Sequence, residues 1–296
     1  MLNFVRRAWA PPVSQADLER ALWKLGLDGS RDAICHSSLS SFGNVVGGAS
    51  GIVKALGNAV RTVVMPSFTY YTLVWPAGER SADWPQFLGD DGPPFTSASP
   101  VSRDIGRVSQ ALLELGDSSR SMHPALSFVA RGVMADEIIK VQTLTHPYAP
   151  IGVLYALDAE VILLGVDHRS NTAMHYGEYL SGRPMLERFA NTPQGAVRTF
   201  YPNCSAAFNP IERHLTSLRS ADVGKATVCV MRVRDVVDTT RRLVERDPFA
   251  LLCSYSHCRC SAVRDKIKRE GLHARRDAIL ETYLGGTAVS ERSSSL

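Results

Sequence analysis

The segment NTAMHYGEYL, residues 171–180, carries a histidine and a glutamate at a spacing that suits proton transfer. His175 and Glu178 are three residues apart, so on a helix they share one face and the carboxylate can reach the imidazole. A neutral imidazole with a pKa of about 7 can take a proton from a reacting group, and a carboxylate beside it fixes its tautomer. The pair could therefore be a general base and its partner. The alternative is a half-buried structural histidine beside a solvated glutamate, because polar pairs at this spacing are common.

The residues before this pair predict where it lies. EVILLGV is apolar throughout, as in a strand covered on both faces, and predicts a strand from Val161 to Val166. A polar turn then leads to a helix that begins near Thr172. In α/β proteins ligands bind at the carboxyl ends of strands, which is where this turn falls. A metal site here would need further ligands, and only Asp167 and His168 are near in sequence.

A loop rich in serine and glycine, CHSSLSSFGNVVGGASG, spans residues 35–51. It follows a short strand, Ala33 to Cys35, and precedes a helix predicted from about Ser50. Its backbone N–H groups and hydroxyls could hold phosphate or amide oxygens. The loop contains no Walker, dinucleotide-binding or G-x-S-x-G pattern, and a plain turn is the alternative.

Two His-Pro pairs occur in RSMHPALSFVARG, residues 120–132, and THPYAPIG, residues 145–152. Proline holds the preceding residue in an extended conformation, so each histidine is either a pocket residue or a structural one.

The segment CSYSHCRC supplies Cys253, His257, Cys258 and Cys260, four possible soft ligands within eight residues. Zinc sites usually use pairs of cysteines that are separated by two to four residues and brought together by a turn, so this spacing of four and one is irregular. We therefore expect no metal, and a zinc site on these four residues is the weaker alternative to simple thiols.

Composition and the remaining elements predict one globular α/β domain. The 296 residues are 45% hydrophobic and 21% charged, which is enough to bury a core, and no apolar run of about 18 residues could span a membrane. The net charge of +4 is scattered, so we expect no nucleic-acid partner. No secretory signal is evident at the N-terminus and a cytoplasmic location is expected.

Further helices are predicted at residues 14–26, 104–116, 149–157 and 234–246, and further strands at 61–66, 124–132 and 225–233. Residues 73–100 are predicted to form an ordered loop or lid, residues 1–280 the domain, and residues 281–296 a frayed tail.

Taken in order, six stretches resemble the aminoglycoside 3-N-acetyltransferase (antibiotic N-acetyltransferase) family. They are HSSLSSFGNVVGGA, TVVMPSFTY, SPVSRDIGRVSQAL, RSMHPALSFVARG, APIGVLYAL and VILLGVDHRSNTAMHYGE, which run collinearly from His36 to Glu178. The resemblance implies a single-domain α/β fold with a central mixed sheet flanked by helices. It also implies direct transfer of acetyl from acetyl-CoA to a small-molecule amine without a metal, and a homodimer is compatible with it.

The resemblance implies roles for particular residues. His175 would be the general base, with Glu178, Glu212 or Asp167 as its carboxylate partner. The cofactor would be held by the serine and glycine loop, by Arg103 and by the RSMHPALS stretch, which gives Ser37, Ser38, Leu39, Gly43, Arg103, Ser121, His123 and Ser127 as candidates.

The chain departs from the family in two stretches that carry a carboxylate in aminoglycoside-modifying members. MPSFTYYTLVWPAG and AVRTFYPNCSAAF contain none here. Two alternatives therefore stand beside an aminoglycoside acetyltransferase: an enzyme for a biosynthetic amine, and a non-catalytic or regulatory homologue that binds CoA.

Overall fold

The computed structural model describes residues 11–75, 92–273, 275 and 277–283. Within these residues lie ten strands: β1 (Asp32–Ser37), β2 (Thr62–Pro66), β3 (Leu73–Val74), β4 (Ser119–Arg120), β5 (Phe128–Gly132), β6 (Glu160–Leu164), β7 (Leu186–Thr192), β8 (Gly195–Tyr201), β9 (Arg219–Val223) and β10 (Ala226–Arg232). Seven of them form a mixed sheet in the order β4-β5-β2-β1-β6-β10-β9. The other three, β3, β7 and β8, form a small antiparallel sheet.

The centre of the large sheet is parallel. β1 pairs in parallel with β2 and with β6, with Ile34 opposite Val64 on one side and Val161 on the other. The outer strands β4, β5, β9 and β10 add antiparallel pairs. The three parallel strands therefore end at one edge of the sheet, where ligands bind in α/β proteins.

The described helices are α1 (Gln15–Lys24), α2 (Gly48–Ala59), α3 (Arg107–Leu113), α4 (Ala135–Ile139), α5 (Ala149–Ala156), α6 (Ala173–Leu180), α7 (Val233–Arg246) and α8 (Arg259–Glu270). Alternate residues of each buried strand face opposite sides of the sheet. One side packs with α1, α2 and α3 in a single hydrophobic cluster. The other side packs with α4 to α8 in a second cluster. The predicted α/β class with a mixed sheet between helices is thereby confirmed.

Most predicted elements occur with shifted ends. The first helix begins after Ser14, whose hydroxyl accepts from the Asp17 backbone N–H at 3.1 Å while the Asp17 carboxylate accepts from the Ser14 N–H at 2.9 Å. The predicted strand from Val161 to Val166 is β6 and ends earlier, at Leu164.

Sequence analysis did not predict the hairpin of β7 and β8. Its apolar alternation is interrupted because Arg188 occupies an inward position of β7, fully buried, with its guanidinium 4.6 Å from the ring centroid of Trp75. The predicted lid at residues 73–100 coincides in part with β3, while residues 76–91 lie outside the described residues, as do residues 284–296 of the predicted tail.

Candidate active site

A cavity of about 170 Å³ opens at the edge where β1, β2 and β6 end. β1 ends at Ser37 and β2 ends at Pro66, and the turn from Arg169 to Thr172 follows β6. Directly after β6, Gly165 has a φ of +66°, and a Cβ there would lie 2.7 Å from the Cβ of Ser41. Only glycine fits this turn without strain, so the chain can leave β6 sharply and enter α6.

His175 lies at the wall of the cavity, in the first turn of α6. Its ring packs between Tyr148, at 5.6 Å between centroids, and Phe208, at 4.9 Å. The Nδ1 atom lies 2.7 Å from Oε2 of Glu178. With Nδ1 directed at the carboxylate, Nε2 is the ring nitrogen left to face the cavity.

Glu178 is buried and interacts with three groups. Besides His175, Nη1 of Arg183 donates to its Oε1, and Nδ2 of Asn203 donates to the same oxygen at 3.0 Å. Burial raises the pKa of Glu178, but the Arg183 charge and the hydrogen bonds from His175 and Asn203 outweigh it, so the pKa lies below its ordinary value. The carboxylate is therefore ionised and can stabilise an imidazolium at His175.

Arg183 is itself fixed in place. Its Nη2 donates to the carbonyl oxygens of Pro248 and Ala250 at 2.8 and 2.7 Å. The other two carboxylates that sequence analysis left open lie elsewhere: Asp167 pairs with Arg169 at 2.8 Å, and Glu212 is exposed. The geometry thus pairs His175 with Glu178.

Ser37 and His36 supply polar groups from the end of β1. The hydroxyl of Ser37 lines the cavity and is buried without a hydrogen-bond partner. Nε2 of His36 accepts from the Thr172 backbone N–H at 3.3 Å, and burial lowers the pKa of His36 to about 3, so that ring is neutral. A buried unpaired hydroxyl is costly, and a bound polar group would satisfy it.

A wider groove of about 870 Å³ adjoins the cavity. Arg169 and Arg259 line both spaces, and Lys225 and Ser38 line the groove. Asp167 is the carboxylate among the described residues of the groove lining, so cations outnumber anions there. This groove suits an anionic molecule such as one that carries phosphates.

The other predicted cofactor residues do not line either space. Leu39 packs against the core, Gly43 is exposed, and Arg103 is exposed next to Asp104, which does line the cavity. Their positions on the same loops as the cavity residues explain why the sequence grouped them together.

Ser121, His123 and Ser127 have structural contacts instead. His123 accepts at Nδ1 from the Leu126 backbone N–H at 3.0 Å and contacts the Thr199 hydroxyl through Nε2 at 2.7 Å. Burial lowers the pKa of His123 to about 3. Ser121 accepts from the Phe128 N–H at 2.8 Å, and Ser127 donates to the Ser67 carbonyl at 2.8 Å. These polar atoms are thus paired with the chain around β5, and none of the three residues lines the cavity or the groove.

Sequence reasoning missed several residues at the site. Arg183 and Asn203 complete the surroundings of Glu178, and Tyr201 and Arg259 form a wall in which the guanidinium lies 5.2 Å from the ring centroid. These residues come from separate parts of the chain after α6, and no local spacing connects them. The sequence does show an arginine, Arg183, three residues after α6, but its burial appears only in the structure.

The cysteines of residues 253–260 come together with Cys204, which follows β8. The sulfur atoms of Cys204, Cys253, Cys258 and Cys260 all lie within 4.8 Å of one another. His257, which sequence analysis placed in this group, is exposed at the surface and stands outside the cluster. The spacing within residues 253–260 could not indicate this group, because its fourth sulfur belongs to Cys204 in a distant segment.

The fold and the site together define an α/β protein with a carboxylate-supported histidine beside a cation-lined groove. Comparison with known proteins gives the family: the profile of the aminoglycoside 3-N-acetyltransferase family matches residues 34–245. The chain belongs to this family, and it is an acetyltransferase that uses acetyl-CoA. The resemblance noted from the six stretches is confirmed.

Individual relatives agree with this assignment. Aminoglycoside N(3)-acetyltransferase IV of Salmonella sp is 31% identical over 254 residues, which cover 80% of this chain and 90% of the relative. The apoenzyme structure of aminoglycoside acetyltransferase AAC(3)-IVa matches with a TM-score of 0.72 and 29% identity, covering 87% of this chain and 99% of that one. The YokD protein of Bacillus subtilis matches with a TM-score of 0.71 and 25% identity over 81% and 96% of the two chains. The expected family fold is thereby confirmed.

Among the described residues, no helix combines the length and the apolar character needed to cross a bilayer.

Proposed function

We propose that this protein transfers acetyl from acetyl-CoA directly to an amine of an aminoglycoside-like acceptor, with His175 as general base. The observation that carries the proposal is the contact of 2.7 Å between His175 Nδ1 and Glu178 at the wall of the cavity. Glu178 is held ionised by Arg183 and Asn203, so the imidazole has a fixed orientation and a charge to stabilise its protonated form.

The proton moves through Nε2 of His175. An ammonium group has no lone pair, so it first loses one proton to water. The ring nitrogen then takes the second proton as the neutral amine nitrogen bonds to the thioester carbonyl carbon. The carbon–sulfur bond then breaks and CoA leaves as a thiolate, which His175 can reprotonate. Glu178 remains ionised throughout and stabilises the imidazolium.

Ser37 and the cation-lined groove serve the acyl donor. The unpaired hydroxyl of Ser37 can donate to the carbonyl oxygen as negative charge develops there. Arg169, Lys225 and Arg259 can bind phosphate oxygens, which guanidinium groups do through paired donors. In the family, a structure of AAC-IIIb was solved with CoASH.

The acceptor is proposed from the relatives. Structures of AAC(3)-IVa, in a histidine-to-alanine variant, were solved with a gentamicin and with apramycin. In this chain Asp104 is the carboxylate among the described residues that line the cavity, while Arg169 and Arg259 are cations. That lining favours an amine with fewer positive charges than a typical aminoglycoside, so a biosynthetic amine is the second candidate.

The test is acetyl-CoA turnover, measured as free thiol released, against a panel of aminoglycosides and simpler amines. We expect His175→Ala to lower kcat by about 10²–10⁴-fold while acetyl-CoA still binds. His214→Ala is the matched control, because His214 is an exposed histidine outside the cavity and should keep wild-type turnover.

Turnover of simple amines but not of aminoglycosides would support the second candidate. Equal turnover by wild type and His175→Ala would reject the role of the histidine. An absence of turnover by wild type across the panel, with acetyl-CoA bound, would reject the proposed function and favour a non-catalytic homologue.

A further inference from the structure

Four cysteines from two distant segments meet beside the active site. Cys204 follows β8, while Cys253, Cys258 and Cys260 lie in the loop before α8 and in its first turn. The sulfur of Cys204 is 3.5 Å from that of Cys253 and 3.4 Å from that of Cys260. Cys253 and Cys260 are buried, and the other two are partly buried.

This arrangement matches the geometry of a tetrahedral metal site. A zinc–sulfur distance of about 2.3 Å places the four sulfurs of a tetrahedron about 3.8 Å apart. The distances in the cluster, from 3.4 Å up to the limit of 4.8 Å, lie on both sides of that value. One disulfide would use only two of the four thiols and leave the other two in close contact with it.

The surroundings of the sulfurs also suit thiolate ligands. The backbone N–H groups of Ala206, Cys260 and Cys253 are directed at the sulfur atoms of Cys204, Cys258 and Cys260, respectively, and favour their thiolate forms. Such donors stabilise negative charge on metal-bound sulfur. Arg259 stands between Cys258 and Cys260 in the sequence and is partly buried, and its guanidinium interacts electrostatically with Cys204. Four thiolates and a divalent ion leave two negative charges, which a nearby guanidinium offsets in part.

We propose that Cys204, Cys253, Cys258 and Cys260 bind one zinc ion. Four thiolates in a tetrahedral arrangement select zinc over harder ions such as magnesium. Four protein ligands leave no open position for water or substrate, so the ion is structural. The proposal stands independently of the acetyl transfer reaction.

The zinc would connect two chain segments that line the candidate active site. One ligand segment carries Tyr201 and Ser205, which line the cavity, and Asn203, which donates to Glu178. The other carries Arg259 at the junction of cavity and groove. The small sheet and α8 contribute these residues from separate parts of the chain, and the metal holds them at a fixed distance.

The first test is the metal content of the full chain, purified under reducing conditions and dialysed. We expect about one equivalent of zinc in wild type and a several-fold loss in Cys204→Ser and in Cys258→Ser. Cys229→Ser is the matched control and should keep its zinc, because Cys229 lies on β10 outside the cluster. Zinc far below one equivalent in wild type, iron in its place, or a mass that shows a disulfide among these cysteines would overturn the proposal.

The second test needs no variant and so does not depend on whether the serine variants fold. The wild-type protein is stripped with a chelator under reducing conditions and titrated with Co²⁺. We expect sulfur-to-cobalt charge-transfer bands and the intense visible bands of tetrahedral cobalt, saturating near one equivalent, and loss of these bands on adding zinc. A titration without thiolate bands rejects the site.

Discussion

At the scale of single residues, Glu178 decides what His175 can do. A lone histidine at the cavity wall would be one more half-buried imidazole. The carboxylate at 2.7 Å, ionised because Arg183 and Asn203 face it, orients the imidazole ring. The same carboxylate balances the charge of Arg183, which is buried. In the proposed mechanism, catalysis and stability therefore depend on one side chain.

Replacing Glu178 by glutamine should impair both properties. We expect kcat to fall by about 10⁴-fold, as when the aspartate of a serine protease triad becomes an amide. We expect the free energy of unfolding to fall by about 3–5 kcal/mol, because Arg183 loses its buried partner. Steady-state kinetics and urea unfolding measure the two effects.

The control for this change is Glu212→Gln, which removes an exposed carboxylate and should change neither quantity.

The pH dependence of stability supplies a further check. The pKa of Glu178 is lowered in the folded state, so its contribution to stability is present above its ordinary value of 4.5 and is lost as the pH falls through the lowered pKa. The difference in unfolding free energy between wild type and Glu178→Gln should therefore shrink in acid. A difference that stays constant down to the lowered pKa contradicts this assignment.

At the scale of elements, the packing of α6 against α7 sets the position of His175. Gly177 lies on α6 next to α7, and a Cβ there would be 2.6 Å from the Val237 carbonyl oxygen and 2.7 Å from Cβ of Thr240. The backbones of the two helices approach this closely only because residue 177 has no side chain. α6 carries both His175 and Glu178, so any displacement of this helix moves the proposed base and its carboxylate partner.

Replacing Gly177 by alanine should separate the two helices. We expect a loss of about 1–3 kcal/mol in unfolding free energy from overpacking. We also expect kcat to fall by about 10²-fold, since a shift of about 1 Å in a catalytic group has that effect. Gly116→Ala is the matched control, because nothing lies within 4 Å of a Cβ at that position. Wild-type kinetics in a destabilised Gly177→Ala would show that the helix contact does not position the pair.

At the scale of the whole molecule, the large sheet separates two hydrophobic clusters with different consequences for the site. Leu22 of α1 belongs to one cluster and Met174 of α6 to the other, and both are fully buried. The second cluster supports α6 directly, while the first supports the far side of the sheet.

Alanine at either position should cost about 2–5 kcal/mol of stability, because each leaves a cavity in a packed core. We expect only Met174→Ala to lower kcat at temperatures where both variants are folded, since Met174 adjoins His175 on the same helix. Chemical unfolding followed by kinetics below the transition tests this. Equal loss of activity in Leu22→Ala would mean that the two clusters respond as one.

Local pattern was enough to predict most of the elements and the centre of the site. The α/β class, the strand–turn–helix that carries His175 and its location at the carboxyl edge of the sheet all follow from signals within about twenty residues. Apolar runs, glycine turns and the spacing of three on a helix act over short distances, so they can be read from the chain. The hairpin of β7 and β8 was missed because the buried Arg188 breaks the alternation, and its contact with Trp75 is not local.

The sequence by itself determined the family, and it predicted both His175 as the candidate base and the loop that contains Ser37 as a binding segment. Only the tertiary structure decided that Glu178, and neither Asp167 nor Glu212, faces His175, and that Arg183 and Asn203 keep it ionised. The tertiary structure also shows that Ser121, His123 and Ser127 do not line the cavity. It places Cys204, and not His257, beside the other three cysteines. The physical reason is that charge pairing and sulfur clustering depend on distances of a few ångströms between residues that are distant in sequence, and folding alone brings these together.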